Sequence, residues 1–286
     1  MKKIFVLLMV AMLTLTAIGC GSSSETTKEA SGSEKESVTI SVVGSTSVTP
    51  AIEMIAKAYE ETNSNIKVDI QGIGSTAGVN AANDGTGDIG MASRNLKEAE
   101  GDYGLTEYVL AYDGIAVVTH PSNPLTELDK ETVTKIFTGE ITNWSQVGGE
   151  DARIIVVSRE EGSGTRGAFD DIMDLEAKND AGDKYSLIVD DAIIADGNGA
   201  VKANIASKEL SIGYVSLSYL DDSIQPLKVD GIDPTVENIV NGSYKVSRPF
   251  LLLTKGAVTP EVQAFLDYAL GNEGQELVKS KWVPSK

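Results

Sequence analysis

The residues best suited to chemistry in this chain lie in one short stretch, residues 158–166. Arg159 supplies a planar and permanently charged guanidinium that matches a tetrahedral oxyanion. Ser163 and Thr165 flank Gly164 where a helix is expected to begin. The first N–H groups of a helix have no partner within it and carry partial positive charge, so that position favours an anion. The stretch predicts an oxyanion site. The alternative interpretation of the same residues is a capped helix with an arginine on the surface.

Two other stretches have the same character. Residues 44–50 read Gly-Ser-Thr-Ser-Val-Thr-Pro, and residues 74–78 read Gly-Ser-Thr-Ala-Gly. Each follows a predicted strand, at 38–43 and 66–70, and each precedes a helical pattern. Strands that alternate with helices favour an α/β sheet with largely parallel strands, in which ligands bind beyond the carboxyl ends of the strands. The three hydroxyl-rich turns are therefore predicted to meet at one edge.

The order of predicted elements indicates two α/β lobes joined by two crossings, near 112–120 and 218–229. The first lobe would combine residues 38–116 with 225–286, and the second would comprise residues 117–224. A site between two such lobes closes around its ligand by a hinge motion.

The charge of the chain restricts the classes of partner. Its 286 residues carry 24 Lys and Arg against 42 Asp and Glu, a net charge of −18. Nucleic acid is excluded as a partner because phosphate backbones bind to basic surfaces. A small anion remains compatible with this charge, since the donors at a closed site are local and include backbone dipoles.

The sequence offers little for catalysis or metal binding. It contains one cysteine, Cys20, and one histidine, His120, which excludes a disulfide within the chain and argues against a Cys/His zinc site. A nucleophilic serine at Ser47, Ser75 or Ser163 needs a neighbouring base, and His120 is expected at a hinge or on the surface. We predict no catalytic residue, no metal and no cofactor. Serine-dependent hydrolysis of phosphate esters is the enzymatic alternative.

The N-terminus has the pattern of a bacterial targeting segment. A basic pair at residues 2–3 precedes an apolar run over 4–19, which is too short and ends too abruptly to indicate a membrane span. The run ends in Ala-Ile-Gly-Cys at 17–20, which resembles the bacterial lipobox, with Ala17 where leucine is usual.

This pattern predicts a signal peptide over residues 1–19 and lipidation of Cys20. Residues 20–37, rich in Ser, Glu, Lys and Thr, would form a flexible tether to the extracytoplasmic face of a bacterial cell membrane. The alternative is an ordinary secretory signal that is cleaved near a chance cysteine.

Together these motifs resemble the phosphate-binding lipoproteins that serve bacterial ABC phosphate transporters. The order and spacing of the motifs and their placement at strand ends are specific in combination, although none is specific alone. The resemblance covers nearly all of residues 38–284. The matching stretches are 44–50, 74–78, Arg159 with 162–165, 88–94 and Trp282-Val283-Pro284.

The resemblance implies a two-lobed periplasmic-binding-protein fold of type II that buries dehydrated phosphate between its lobes. It also implies a binding protein rather than an enzyme, with an ABC permease as partner, and we expect a monomer. In the family an acid holds the arginine in place, and Glu161 occupies the matching position. The phosphate-binding residues carried over from the matching motifs are Thr46, Ser47, Ser75, Arg159, Ser163, Gly164 and Thr165.

At one position the chain departs from the family pattern. Well-known members have an aspartate after the Ala-Ser of the third strand, where this chain has Arg94. That aspartate accepts a hydrogen bond from protonated phosphate, and facing sulfate it would remain unpaired at a cost of about 1–3 kcal/mol or more. Two hypotheses follow. Either Arg94 is a second charged donor to phosphate while Asp113 accepts the proton, or Arg94 pairs with a structural acid.

Two alternatives retain the fold but change the role. One is a receptor for another oxyanion, such as sulfate or molybdate. The other is a surface receptor that uses the fold without transport.

Overall fold

The fold is described by a computed structural model in which residues 36–180, 182 and 184–286 are placed. The predicted signal peptide, the lipidation site Cys20 and all but the end of the predicted tether 20–37 lie outside these residues. Within them, no helix is long and apolar enough to cross a membrane.

Strands and helices alternate along the described residues, as the sequence patterns predict. The strands are β1 (Val38–Gly44), β2 (Ile66–Gly72), β3 (Ile89–Ala92), β4 (Leu105–Thr119), β5 (Glu127–Leu128), β6 (Ile155–Arg159), β7 (Glu176–Lys178), β8 (Lys184–Ser186), β9 (Ile193–Ala195), β10 (Ser211–Ser216), β11 (Gln225–Pro226), β12 (Lys228–Val229), β13 (Ser247–Lys255) and β14 (Val283–Pro284). The α-helices are α1 (Thr49–Thr62), α2 (Ser75–Asp84), α3 (Lys130–Phe137), α4 (Gly164–Ile172), α5 (Gly197–Ser207), α6 (Val236–Val240), α7 (Pro260–Leu270) and α8 (Asn272–Val278). Short 3-10 helices occupy Glu98–Tyr103, Trp144–Val147 and Leu217–Tyr219.

The long strand β4 is the centre of the largest sheet and runs through both halves of the fold. Its residues 105–114 pair antiparallel with β13, whereas its residues 115–119 pair antiparallel with β10. The strand order is β2-β1-β3-β13-β4-β10-β6-β9, and β11 and β14 also pair with β4. β1 lies parallel between β2 and β3, and β6 lies parallel between β10 and β9. This is a two-lobed α/β fold, with a parallel layer in each lobe.

The core of the first lobe lies between its strands and helices α1, α7 and α8. Ile40, Ile52, Phe250, Phe265 and Trp282 are buried there. Full burial of one such aliphatic or Phe side chain contributes about 1.5–3 kcal/mol. The N- and C-terminal parts of the described chain therefore stabilise one lobe together.

Helix α7 illustrates how local sequence defines an element of this lobe. Thr259 precedes the helix, and its Oγ1 accepts a hydrogen bond from the N–H of Val262 at 3.3 Å. Pro260 occupies the first helical turn, where its missing N–H costs nothing. The helix is amphipathic, with a buried face formed by Val262, Phe265, Leu266 and Ala269.

The core of the second lobe contains a stack of aromatic rings. Phe169 of α4 and Tyr214 of β10 are stacked with their centroids 4.0 Å apart. Phe137 contacts both rings, at 5.0 and 5.7 Å. Because the stack fixes α4 against the sheet, it also fixes the start of α4, where several predicted site residues lie.

The chain passes between the lobes at two places. The first lies within β4, inside the predicted range 112–120. The second was predicted near 218–229, but β11 still pairs with the second-lobe end of β4. Tyr244 and Val246 are buried in the second core, and the Tyr244 hydroxyl donates to the Ile115 carbonyl at 2.7 Å. The chain returns only at Ser247, which pairs with Gly114, so residues 225–246 pack with the second lobe and not with the first, to which the sequence analysis assigned them.

Candidate anion-binding site

The three hydroxyl-rich turns meet between the lobes, as their placement at strand ends predicts. Ser47 precedes α1 and Thr165 lies in the first turn of α4, and their hydroxyl oxygens are 2.9 Å apart. Ser75, the first residue of α2, lies so close to Gly164 that a Cβ on this glycine would be 2.1 Å from Ser75 Oγ. The starts of three helices, which carry partial positive charge, therefore face one small region.

Hydroxyl groups from the first lobe form a linked set around Ser75. Its Oγ accepts a hydrogen bond from the N–H of Ser93 at 3.0 Å, and Ser45 Oγ donates to Ser93 Oγ at 2.8 Å. All three serines are buried. Since hydroxyl hydrogens rotate, such a set can direct O–H groups toward an anion.

Arg159 lies at the end of β6 and is almost fully buried, with 1% of its surface exposed. Its Nε and Nη2 donate to the two carboxylate oxygens of Glu160, each at 2.7 Å. Nη2 also donates to Thr46 Oγ1, at 3.2 Å. The remaining nitrogen, Nη1, is buried without a hydrogen-bond partner.

Glu160, and not the predicted Glu161, is the acid that holds Arg159. Glu161 is exposed. Gly162 follows with a positive φ of 89°, a conformation that favours glycine, and the chain turns there before α4 begins. The Glu160 carboxylate is further held by the N–H of Gly197 at the start of α5, at 3.2 Å.

The pKa of Glu160 reflects this pairing. Burial acts to raise the pKa, but the hydrogen bonds and charge of Arg159 outweigh it, and the pKa of Glu160 is lowered. Arg159 therefore faces an ionised carboxylate at neutral pH, with one N–H edge left for a ligand.

Arg94 is paired with a structural acid, which is one of the two hypotheses drawn from the sequence. Its Nη1 and Nη2 donate to the two oxygens of Glu100 at 2.7 and 2.8 Å. Nη1 also donates to the Asn95 carbonyl and Nη2 to Thr76 Oγ1. Both terminal nitrogens thus have protein acceptors, and the structure does not support the alternative of a second charged donor to phosphate. The aspartate of the family pattern is replaced here by a buried ion pair beside the site.

Asp113 lies at the hinge and is paired with Arg248, a residue that the sequence analysis missed. Arg248 Nη2 donates to Asp113 Oδ2 at 3.0 Å, and Ser216 Oγ donates to Asp113 Oδ1 at 3.0 Å. Burial raises the pKa of Asp113 to about 6, against the opposing charge of Arg248. Since protein donors already occupy both carboxylate oxygens, the predicted role of Asp113 as proton acceptor for phosphate has no support in this geometry.

Arg248 also reaches the predicted site. Its Nη2 donates to Ser47 Oγ at 2.9 Å, and its Nη1 is buried without a hydrogen-bond partner. A signal was present in the sequence, because Arg248 directly precedes the apolar run of β13. A charged residue within a buried strand needs a partner or a ligand.

Two further second-lobe residues missed from the sequence contact the first lobe here. Asn198 Nδ2 donates to Ser47 Oγ at 2.9 Å and to Thr46 Oγ1 at 3.2 Å. The Tyr219 hydroxyl donates to the Thr46 carbonyl at 2.9 Å. Together with a hydrogen bond from the Thr76 N–H to the Gly162 carbonyl at 3.0 Å, these contacts hold the lobes closed.

This arrangement suits a compact anion and little else. Arg159 and Arg248 each bury an N–H group that lacks an acceptor, and an unsatisfied buried donor of this kind costs about 1–3 kcal/mol or more. Hydroxyl groups and helix starts surround the same region. The fold and the site define a two-lobed substrate-binding protein whose cleft is built for an oxyanion.

Comparisons with known proteins agree with this class. A family model described as a PBP superfamily domain matches residues 27–273. The phosphate-binding protein PstS of Bacillus subtilis is 30% identical over 97% of this chain and 91% of its own length. The PstS protein of Borreliella burgdorferi is 32% identical over 85% of this chain and 88% of its own length. The chain belongs to the PBP superfamily, in the family of the phosphate-binding PstS proteins.

Solved structures show the same relationship. A substrate-binding protein from Clostridium perfringens, solved with bound phosphate, is 44% identical with a TM-score of 0.81, covering 87% of this chain and 100% of that one. An ABC-type phosphate transport receptor from Vibrio cholerae is 33% identical with a TM-score of 0.72, covering 86% and 100%.

Proposed function

We propose that this chain captures inorganic phosphate between its lobes and delivers it to an ABC permease. The observation that carries the proposal is the buried Nη1 of Arg159, which has no protein acceptor. Nη2 of the same guanidinium reaches Thr46 Oγ1 of the first lobe at 3.2 Å. The relatives named for phosphate binding and transport support the choice of ligand and partner.

The proposed phosphate ligands are those carried over from the matching motifs. Thr46, Ser47 and Ser75 would donate from the first lobe, and Arg159 would pair with the anion from the second. Ser163 Oγ accepts the N–H of Arg166 at 3.2 Å, so its own hydrogen is free to donate. Gly164 and Thr165 complete the cage at the start of α4. Arg94 is not among the proposed ligands, because its guanidinium is paired with Glu100.

The proposed role is binding without catalysis. The single histidine, His120, lies at the end of β4 and its Nδ1 is 2.7 Å from Ser122 Oγ, two residues further along the chain. It is paired locally rather than with Ser47, Ser75 or Ser163. Incubation of the protein with phosphate esters should release no phosphate above the spontaneous rate.

We further propose that Cys20 is lipidated and that the mature chain acts as a monomer on the extracytoplasmic face of the cell membrane. The support is the sequence pattern at 17–20 and the polar stretch that follows. Labelling of growing cells with radioactive palmitate should mark the wild-type protein and not a Cys20→Ser variant. Label on both proteins would place the lipid elsewhere.

Calorimetric titration with phosphate, and then with sulfate, tests the main proposal. The protein is first unfolded, washed free of carried-over ligand and refolded. Tight phosphate binding that survives an excess of sulfate is the expected result. Equal binding of both anions would make the chain a general oxyanion receptor, and absence of phosphate binding would refute the proposal.

A further inference from the structure

Arg248 is a buried cation at the junction between the lobes. It lies in β13 directly opposite Asp113 of β4, at the point where both strands pass from one lobe to the other. Only 3% of Arg248 and 1% of Asp113 is exposed. A charge so deeply buried needs specific partners, because it has lost its hydration.

The hydrogen bonds of Arg248 leave one edge of its guanidinium unused. Nη2 donates to Asp113 Oδ2 and Ser47 Oγ, and Nε lies 3.4 Å from Asp113 Oδ2. Nη1 has no acceptor. The nearest aromatic face, that of Phe250, has its centroid 5.8 Å from Cζ and offers no oxygen or nitrogen. Nη1 and Nη2 are bonded to the same carbon atom, and Nη2 donates to Ser47 Oγ. The unused Nη1 side of the guanidinium therefore lies near Ser47.

Arg159 and Arg248 reach neighbouring residues of the first lobe. Arg159 Nη2 donates to Thr46 Oγ1 and Arg248 Nη2 donates to Ser47 Oγ, and Asn198 Nδ2 contacts both of these oxygens. Burial lowers the pKa of Arg248 to about 10, the charge of Arg159 acts in the same direction, and Asp113 opposes both. Arg248 therefore stays charged at neutral pH. Each of the two arginines has one carboxylate partner and one unused Nη1. An anion placed between them would supply the missing acceptors on both sides.

We propose that Arg248 is a second cationic ligand of the bound phosphate, and that Asp113 holds its guanidinium in place across the hinge. The inference rests on the proposed function and names a contact that the matching motifs do not include. The site would then pair a phosphate oxyanion with one arginine from the second lobe and one from the hinge.

The contacts of Ser47 fit this arrangement. Its Oγ accepts hydrogen bonds from Arg248 Nη2 and Asn198 Nδ2, each at 2.9 Å. A hydroxyl oxygen has two acceptor lone pairs, so the Ser47 hydrogen is left to point toward Thr165 Oγ1 or toward the anion. Arg248 thereby also makes Ser47 a donor at the site.

The test separates a ligand role from a purely structural pairing with Asp113. Phosphate affinity is measured by calorimetry for the wild type, Arg248→Gln, Asp113→Asn and the double variant. A hydrogen bond to a charged group is worth roughly a 10- to 100-fold change in affinity. We expect Arg248→Gln to weaken phosphate binding by about this factor in the wild-type background and again in the Asp113→Asn background. Arg153→Gln, at an exposed arginine with 74% of its side chain accessible, is the matched control.

A structural role makes a different prediction in the second background. If Arg248 only neutralises Asp113, then Asp113→Asn removes the need for it, and the further Arg248→Gln change would leave phosphate affinity unaltered. That result would overturn the inference while wild-type binding still supports the proposed function. Absence of phosphate binding by the wild type would instead refute the proposed function itself.

A further variant keeps the test decisive if loss of the arginine prevents folding. Arg248→Lys retains a positive charge for Asp113 but has no second terminal nitrogen. Thermal unfolding without phosphate confirms that this protein is folded. We expect about 10-fold weaker phosphate binding, and wild-type affinity in this variant would contradict the ligand role.

Discussion

Ser75 and Gly164 lie in contact across the cleft, one at the start of α2 in the first lobe and the other at the start of α4 in the second. A Cβ built on Gly164 would be 2.1 Å from Ser75 Oγ and 2.6 Å from Ser93 Oγ. Neither distance is compatible with a real Cβ. The absence of a side chain at Gly164 is therefore what allows the two helix starts to approach each other this closely.

Substitution of Gly164 by alanine is expected to hold the lobes apart. Overpacking of this kind costs about 1–3 kcal/mol, which weakens phosphate binding by roughly 5- to 150-fold. Calorimetry gives the affinity, and small-angle scattering with phosphate present reports whether the lobes remain open. Gly199→Ala is the matched control, because nothing lies within 4 Å of a Cβ at this position of α5. Equal affinities of the two variants would contradict the close contact.

Changing Glu160 to glutamine should affect the stability of the protein much more than the same change at the neighbouring Glu161. Glu160 is part of a buried pair with Arg159, although 21% of its side chain is exposed. Loss of its charge should lower the free energy of unfolding without ligand by about 1–3 kcal/mol, less than for a fully buried pair. Urea denaturation measures this change. Glu161→Gln, at the exposed position, should leave the unfolding midpoint unchanged. A larger effect of Glu161→Gln than of Glu160→Gln would support Glu161 as the acid that holds Arg159.

Arg94 and Glu100 are predicted to act on stability rather than on affinity. Burial acts to raise the pKa of Glu100, but its hydrogen bonds with Arg94 and the charge of Arg94 lower it, so the pair is ionised at neutral pH. Removal of one partner of a buried pair costs about 3–5 kcal/mol. Arg94→Gln should therefore lower the urea midpoint strongly. At a temperature where the variant is folded, its phosphate affinity should match that of the wild type. A large loss of phosphate affinity would support Arg94 as a phosphate ligand.

Stability without ligand should increase as the pH falls from 7 toward 5. Burial raises the pKa of Asp113 and of Asp170 to about 6, from an ordinary value of 3.8. The folded state therefore binds these protons more tightly than the unfolded state, so their destabilising effect is present above pH 6 and relieved as pH falls through 6. The pKa values of Glu100 and Glu160 are lowered, so their ionised side chains stabilise the fold throughout this range. Their contribution to stability is lost only at more acid pH.

Urea denaturation in phosphate-free buffer at pH 5, 6 and 7 measures this dependence. Asp170 is the residue to change, because it lies away from the proposed ligands, its Oδ1 is buried without a partner, and Arg166 Nε is 3.6 Å from Oδ2. Asp170→Asn should reduce the pH dependence over this range, and the part due to Asp113 should remain. A wild-type protein that is more stable at pH 7 than at pH 5 would contradict the raised pKa values.

Sequence patterns were enough to predict the parts of the candidate site that depend on local chemistry. Small hydroxyl residues after strands and before helices predicted three turns suited to an anion, because strand and helix periodicity and helix-start chemistry are properties of a few consecutive residues. The side chain of Arg159 was identified for the same reason. Their convergence followed from the parallel strands, whose carboxyl ends share one edge of a sheet.

Contacts between residues that are distant in the sequence could be read only from the folded chain. The choice between Glu160 and Glu161 rests on the path of the backbone through Gly162 and on an N–H from Gly197. The pairing of Asp113 with Arg248 rests on the register between two strands that are remote in sequence. The late return of the chain at Ser247 rests on the burial of Tyr244 and Val246 in the second core. These outcomes are set by strand register and burial across the whole fold, which no short stretch of sequence contains.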